Sequence, residues 1–119
     1  MKLTDVQRKV VNKIKEDLIL AKECKSLKEY CIKASCQGDE NSMHYSEYLQ
    51  EAEKRFERNP DYFIDIYAKW WKAGREQNII LVWTSSSTLR ALEKKGIIEI
   101  IEDGKNFPDT VKLLVWEVD

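Results

Sequence analysis

Residues 84–116 constrain this chain more than any other stretch. They read Thr84-Ser85-Ser86-Ser87-Thr88, an apolar pair at Leu89 and Leu92, then Gly96, then the run Ile97-Ile98-Glu99-Ile100-Ile101. An Asp103-Gly104 turn and a second extended run, Thr110 to Trp116, follow. Hydroxyl side chains ahead of a helical periodicity serve as caps, because their oxygens accept from the orphan N–H groups of the first turn. Leu89 and Leu92 share one face, while Arg90, Glu93 and Lys94 point elsewhere. Gly96 suits the left-handed residue that closes a helix. Two β-rich runs around an Asp-Gly pair predict a hairpin. The expected elements are a helix over 85–95 and strands over 97–101 and 110–116.

The preceding residues are mostly helical. Thr4-Asp5-Val6-Gln7 has the form of a capping box. Val6, Val10, Val11, Ile14, Leu18 and Ala21 then recur at three and four, predicting a helix over 5–22. Ser26-Leu27-Lys28-Glu29 is a second capping box, opening a helix over 26–36. Gln37 to Asn41, polar and holding Gly38, reads as a loop. Tyr45, Tyr48, Leu49, Ala52 and Phe56 define a helix over 43–58. Asn59-Pro60 breaks it and starts another, over 60–74, with Pro60 at the first helical position and Gly74 expected at its end. Residues 79–83 are short and β-rich, hence a strand. The expectation is one α+β, mostly helical domain over 1–119.

The pattern Ser86-x-x-Leu89-x-x-Leu92-x-x-x-Gly96-Ile97-Ile98, followed by a hairpin, resembles the C-terminal half of winged helix-turn-helix domains over 84–116. The resemblance implies a winged-helix-like C-terminal half, with a recognition helix over 85–95, a wing over 102–109 and helices inserted between about 24 and 58. It also implies double-stranded DNA as partner. Ser85, Ser86 and Ser87 would meet phosphate at the helix N-terminus, and Arg90 and Lys94 would face the major groove, with Lys105 on the wing. Many such domains dimerise through added helices.

Charge is divided unevenly. Residues 1–36 hold nine Lys/Arg against five Asp/Glu, and residues 62–96 hold six against three. Residues 97–119 hold two against six, with Glu102, Asp103 and Asp109 around the wing. Such an acidic wing repels phosphate, while the helical blocks attract it. Lys69, Lys72 and Arg75 beside Trp70 and Trp71 form a basic-aromatic cluster. There Trp70 belongs to the core side of its helix. Trp71 belongs either to the core or, if exposed, to a homodimer or partner surface.

Three cysteines, Cys24, Cys31 and Cys36, are an odd number, so reduced thiols packed as small hydrophobes are expected. With His44 they lack the spacing of a zinc site. No Gly-x-Ser-x-Gly, phosphate-binding glycine loop or His-Glu-x-x-His is present. We therefore expect no catalytic residue, metal, cofactor or small-molecule substrate. No apolar run approaches the roughly 20 residues of a membrane span, and the N-terminus lacks the apolar core of a signal peptide, which makes the cytoplasm the expected location. Two functions remain. One is a small non-enzymatic DNA-binding, transcription-regulator-type protein. The other is a protein–protein interaction module that keeps the fold without nucleic acid. The small size suits a bacterial or phage accessory protein.

Overall fold

The computed structural model describes residues 2–37, 39–102 and 109–117. Gly38 of the expected loop, the Asp103-Gly104 turn and most of the expected wing lie outside the described residues. The fold is α+β and mostly helical, in the order α1 (Asp5–Glu23), α2 (Leu27–Ala34), α3 (Tyr45–Arg58), α4 (Pro60–Gln77), β1 (Ile79–Val82), α5 (Ser86–Lys94), β2 (Ile98–Glu102) and β3 (Asp109–Leu113).

Local chemistry sets the helix ends. At α1, Thr4 Oγ1 accepts from the Gln7 N–H at 3.2 Å, and Gln7 Oε1 accepts from the Thr4 N–H at 3.1 Å, a reciprocal box. The second box forms only by half. Ser26 Oγ accepts from Glu29 N at 3.1 Å, but the Glu29 carboxylate takes the N–H of Lys25, one residue before the cap. Glu29 also holds Lys33 at 3.0 Å. Helix α4 departs from expectation in running past Gly74 to Gln77. The left-handed residue that ends it is Asn78, at φ 56°; asparagine tolerates that conformation better than most residues. Gly74 instead lets two helices touch. A Cβ there would stand 3.0 Å from Ala21 Cβ of α1.

The sheet is antiparallel with order β1-β3-β2. Ile80 stands opposite Val111 in one pair, and Ile100 opposite the same residue in the other. Glu99 faces Lys112 across the hairpin, an opposite-charge pair, and a bulge interrupts β2 between Ile100 and Glu102. The third strand is shorter than the expected 110–116: it ends at Leu113, Leu114 N and Val115 N both donate to Ile97 O, and the chain bends at Trp116. Asp109, expected at the edge of an acidic wing, is 1% exposed at the start of β3.

Two clusters make the core. The first joins Val11, Ile14 and Leu18 of α1 to Leu89 and Leu92 of α5 and to the sheet residues Ile80, Ile98, Val111 and Leu113. The second, at the far end of α1, holds Ala21, Cys24 and Tyr30, with Tyr67 and Trp71 of α4 packed on it. No helix of the described residues is long and apolar enough to cross a membrane.

Candidate nucleic-acid interface

Helix α5 begins at a hydroxyl network. Ser85, with extended backbone, accepts from Thr88 N at 3.4 Å, and its Oγ lies 2.8 Å from Thr88 Oγ1 and 3.3 Å from Ser87 Oγ. Leu89 and Leu92 are fully buried, as their spacing requires. Burial of that face leaves Ser87, Arg90 and Lys94, at helical spacing, on the exposed side. Ser86 is half-buried and contributes less to that side than its two neighbours. Lys95 points away, donating to Gln7 Oε1 at 2.7 Å and to Lys2 O at 3.2 Å. Glu93 reaches across to the hairpin, where its carboxylate accepts from Ile100 N at 2.8 Å.

The helix that backs α5 is α1. Val11 and Ile14 share a cluster with Leu89 and Leu92, and Lys95 ties the C-terminal end of α5 to the start of α1. A single helix, α5, stands between β1 and the hairpin, so the helix-helix pair that would present it is α1 with α5. This packing brings the basic side of α1 to the entry of α5. Lys9 and Lys13 line a cleft of about 240 Å³ together with Thr84 and Trp83. Lys13 is ion-paired to Asp17 at 3.0 Å. Burial raises the Asp17 carboxyl above its ordinary range, partly offset by its bonds to Lys13 and Gln37.

Other expected site residues fall elsewhere. Lys105 lies outside the described residues. Trp71 is half-buried: its ring lies on the second cluster and its Nε1 donates to Cys24 O at 3.4 Å. The Arg75 guanidinium sits 5.0 Å from that ring and donates from Nη1 to the carbonyls of Ala21, Lys22 and Cys24, at 3.2, 3.2 and 2.7 Å. Arg75 therefore closes the C-terminus of α1, satisfying carbonyls that a helix end leaves open. Of the basic-aromatic cluster, Lys69 lies 5.0 Å from the Trp70 ring.

The three thiols are free and buried. Cys31 donates to Phe63 O at 3.7 Å and Cys36 to Tyr48 O at 3.5 Å. Desolvation pushes all three thiols above their ordinary value. Among the described residues no group of three His, Cys, Asp or Glu side chains is placed to hold a metal. His44 precedes α3, with Nδ1 3.7 Å from Glu47 Oε2.

The residue that sequence reasoning passed over is Trp83, 73% exposed. The signal was available: with Ile80 and Val82 turned inward, strand alternation puts Leu81 and Trp83 on the other side. In the sequence Lys9 and Lys13 are only charges of the first helix, because their nearness to Thr84 depends on how α1 packs on the sheet. No family model matches the chain, and no curated protein or solved structure matches it either.

Proposed function

We propose that this chain is a small non-enzymatic DNA-binding protein of transcription-regulator type, presenting α5 to duplex DNA in the manner of a winged helix. The observation that carries the reading is the exposed line Ser87, Arg90, Lys94, which opens at a hydroxyl-rich N-terminus bordered by Lys9 and Lys13. A helix N-terminus favours phosphate, because its free N–H groups and its dipole point outward there. Lysines across the cleft add sequence-independent attraction, and side chains one and two turns further along α5 reach toward base edges. The burial of Asp109 supports the same reading, since it removes one carboxylate from the surface beside the hairpin. The same reading puts the protein in the cytoplasm, where three unpaired thiols stay reduced.

The test is a gel shift against mixed duplex DNA at low salt. Arg90→Ala combined with Lys94→Ala is expected to weaken binding roughly tenfold or more and to lower the salt slope by about 2. Absence of any shift by the unaltered protein at low salt, where electrostatics are strongest, defeats the proposal. The second reading, an interaction module without nucleic acid, is favoured by one observation: a tryptophan as exposed as Trp83 lies beside an apolar groove.

A further inference from the structure

The two outer strands of the sheet are finished differently. In the β1–β3 pair, Leu113 N donates to Asn78 O at 2.9 Å, so Asn78, Ile80 and Val82 are the residues bonded to β3. Antiparallel alternation then turns the N–H and C=O of Ile79 and Leu81 outward, away from the sheet. In the β2–β3 pair, Leu114 N donates to Ile97 O, which by the same rule turns Ile100 outward. There the outward N–H is taken by the Glu93 carboxylate at 2.8 Å. A bulge at Ile101 further disrupts that edge. At β1 neither device is present: no hydrogen bond reaches the outward groups of Leu81 among the described residues.

That open edge adjoins a groove rather than flat solvent. Two lobes, of about 240 and 360 Å³, share Lys13, Asp17, Leu81 and Trp83 as walls. The larger lobe adds Ile66, 40% exposed, and Trp70 of α4. Consecutive residues Ile80 and Leu81 both line it, so the groove meets the strand along its edge as well as on one face. Its charged walls are Lys9, Lys13 and Asp17, and Asp17 is already bonded to Lys13 and Gln37. Lys69 stacked on Trp70 adds a further cation beside the groove. An exposed tryptophan, an apolar floor, a cationic rim and unused strand hydrogen bonds select one kind of occupant.

We propose that the β1 edge is a docking site for an extended segment of a partner protein, apolar at alternate positions and acidic in between. The segment adds to the sheet beside β1. Its backbone bonds the outward groups of Leu81, its apolar side chains settle against Trp83, Trp70 and Ile66, and its carboxylates meet Lys9. Main-chain pairing of this kind supplies affinity while the flanking pockets supply selectivity. The inference shares the Lys9 and Lys13 wall with the DNA reading but not the face of α5 that carries Arg90 and Lys94, so variants of that face separate the two.

The experiment titrates the isotopically labelled full chain with a synthetic peptide of alternating valine and aspartate, followed by calorimetry and by amide exchange. Saturable binding is expected, with exchange at Leu81 slowed roughly tenfold or more and that at Ile100 unchanged. The Trp83→Ala variant, altered at an exposed position, is expected to lose roughly tenfold in affinity. The same peptide N-methylated at every residue, which leaves no N–H on either edge to pair with a strand, is expected not to bind. Arg90→Ala with Lys94→Ala is expected to bind the peptide unchanged. Lack of saturable binding overturns the proposal, as does binding that tolerates N-methylation or leaves Leu81 exchange untouched. Binding of oligothymidylate lost on Trp83→Ala, with no peptide binding, assigns the groove to a nucleic-acid strand and overturns it too. A dimer in light scattering that Trp83→Ala converts to monomer assigns the edge to a second copy, with the same consequence.

Discussion

The cluster beneath α5 and the cluster at the far end of α1 are built from different atoms. The first is aliphatic: Ile14, Leu18, Leu89, Leu92, Ile97 and Ile98 are each at most 1% exposed and meet two helices and a sheet. The second is made of a thiol, aromatic rings and a small residue, with Tyr30 and Tyr67 edge to face at 6.0 Å. It is also threaded by polar links, from Trp71 and Arg75 to the last carbonyls of α1. The first cluster depends on close packing, where a lost methylene leaves a cavity. The second depends on satisfying a helix end as much as on burying carbon. A sheet with one buried face seals its aliphatic layer, whereas helices meeting at their ends leave carbonyls that need donors.

The sharpest way to break this comparison is to truncate one residue in each cluster. Leu92→Ala is expected to cost about 2–5 kcal/mol, read as a lowered urea midpoint. Trp71→Ala, at a half-buried position, is expected to cost roughly 2 kcal/mol with light-scattering mass unchanged. Equal costs would mean that the two clusters are not held differently, and an altered mass would return Trp71 to a partner surface.

A smaller effect tests the seam between α1 and α4. In Gly74→Ala the added methyl would stand 3.0 Å from Ala21 Cβ. The crowding, of order 1–3 kcal/mol, outweighs a helix-propensity gain of about 1 kcal/mol. Net destabilisation of about 1 kcal/mol is expected. Ala21→Gly should relieve it, seen as a favourable coupling in a double-mutant cycle. Additive effects would show that the helices separate freely there.

The smallest effect is a pH dependence confined to the thiol-bearing region. Burial raises Cys24, Cys31 and Cys36 above their ordinary 9.0, and raises Tyr30 as well. For an acid raised on folding, the stabilisation is complete below the unfolded value and fades as pH climbs through the folded one. Stability measured by urea titration should therefore decline above about pH 9. Replacing the three cysteines by alanine should flatten that decline without moving the midpoint's dependence below neutrality. A loss confined to acid pH in the unaltered chain would contradict the assignment.

Much of the α5 region was legible because its signals are local. A hydroxyl cap acts within one turn, Leu89 and Leu92 select a face by spacing alone, and Gly96 takes its positive φ, 76°, where a glycine was expected to end the helix. The candidate site was half legible for the same reason. Ser87, Arg90 and Lys94 lie on one side of a helix whatever packs behind it. Gly74 misled, because a glycine marks either a helix end or a close approach, and only the crossing of α4 over α1 distinguishes them.

By itself, then, the sequence determined the element types, the hydroxyl caps of α1, α2 and α5 and the buried face of α5, all of which follow from neighbours within a few residues; Asn59 makes no side-chain cap bond, and Val6, Tyr48 and Ile66, expected on apolar faces, are exposed. It could not determine which helix backs α5, that Arg75 closes α1, that Asp109 is buried, or that Lys9 and Lys13 stand beside Thr84. Each of these joins residues distant in the chain, and only packing sets their separation. The open edge of β1 is of the same kind. A strand's outward hydrogen bonds are free or taken according to what the rest of the chain brings alongside, which for β2 is Glu93 and for β1 is a groove.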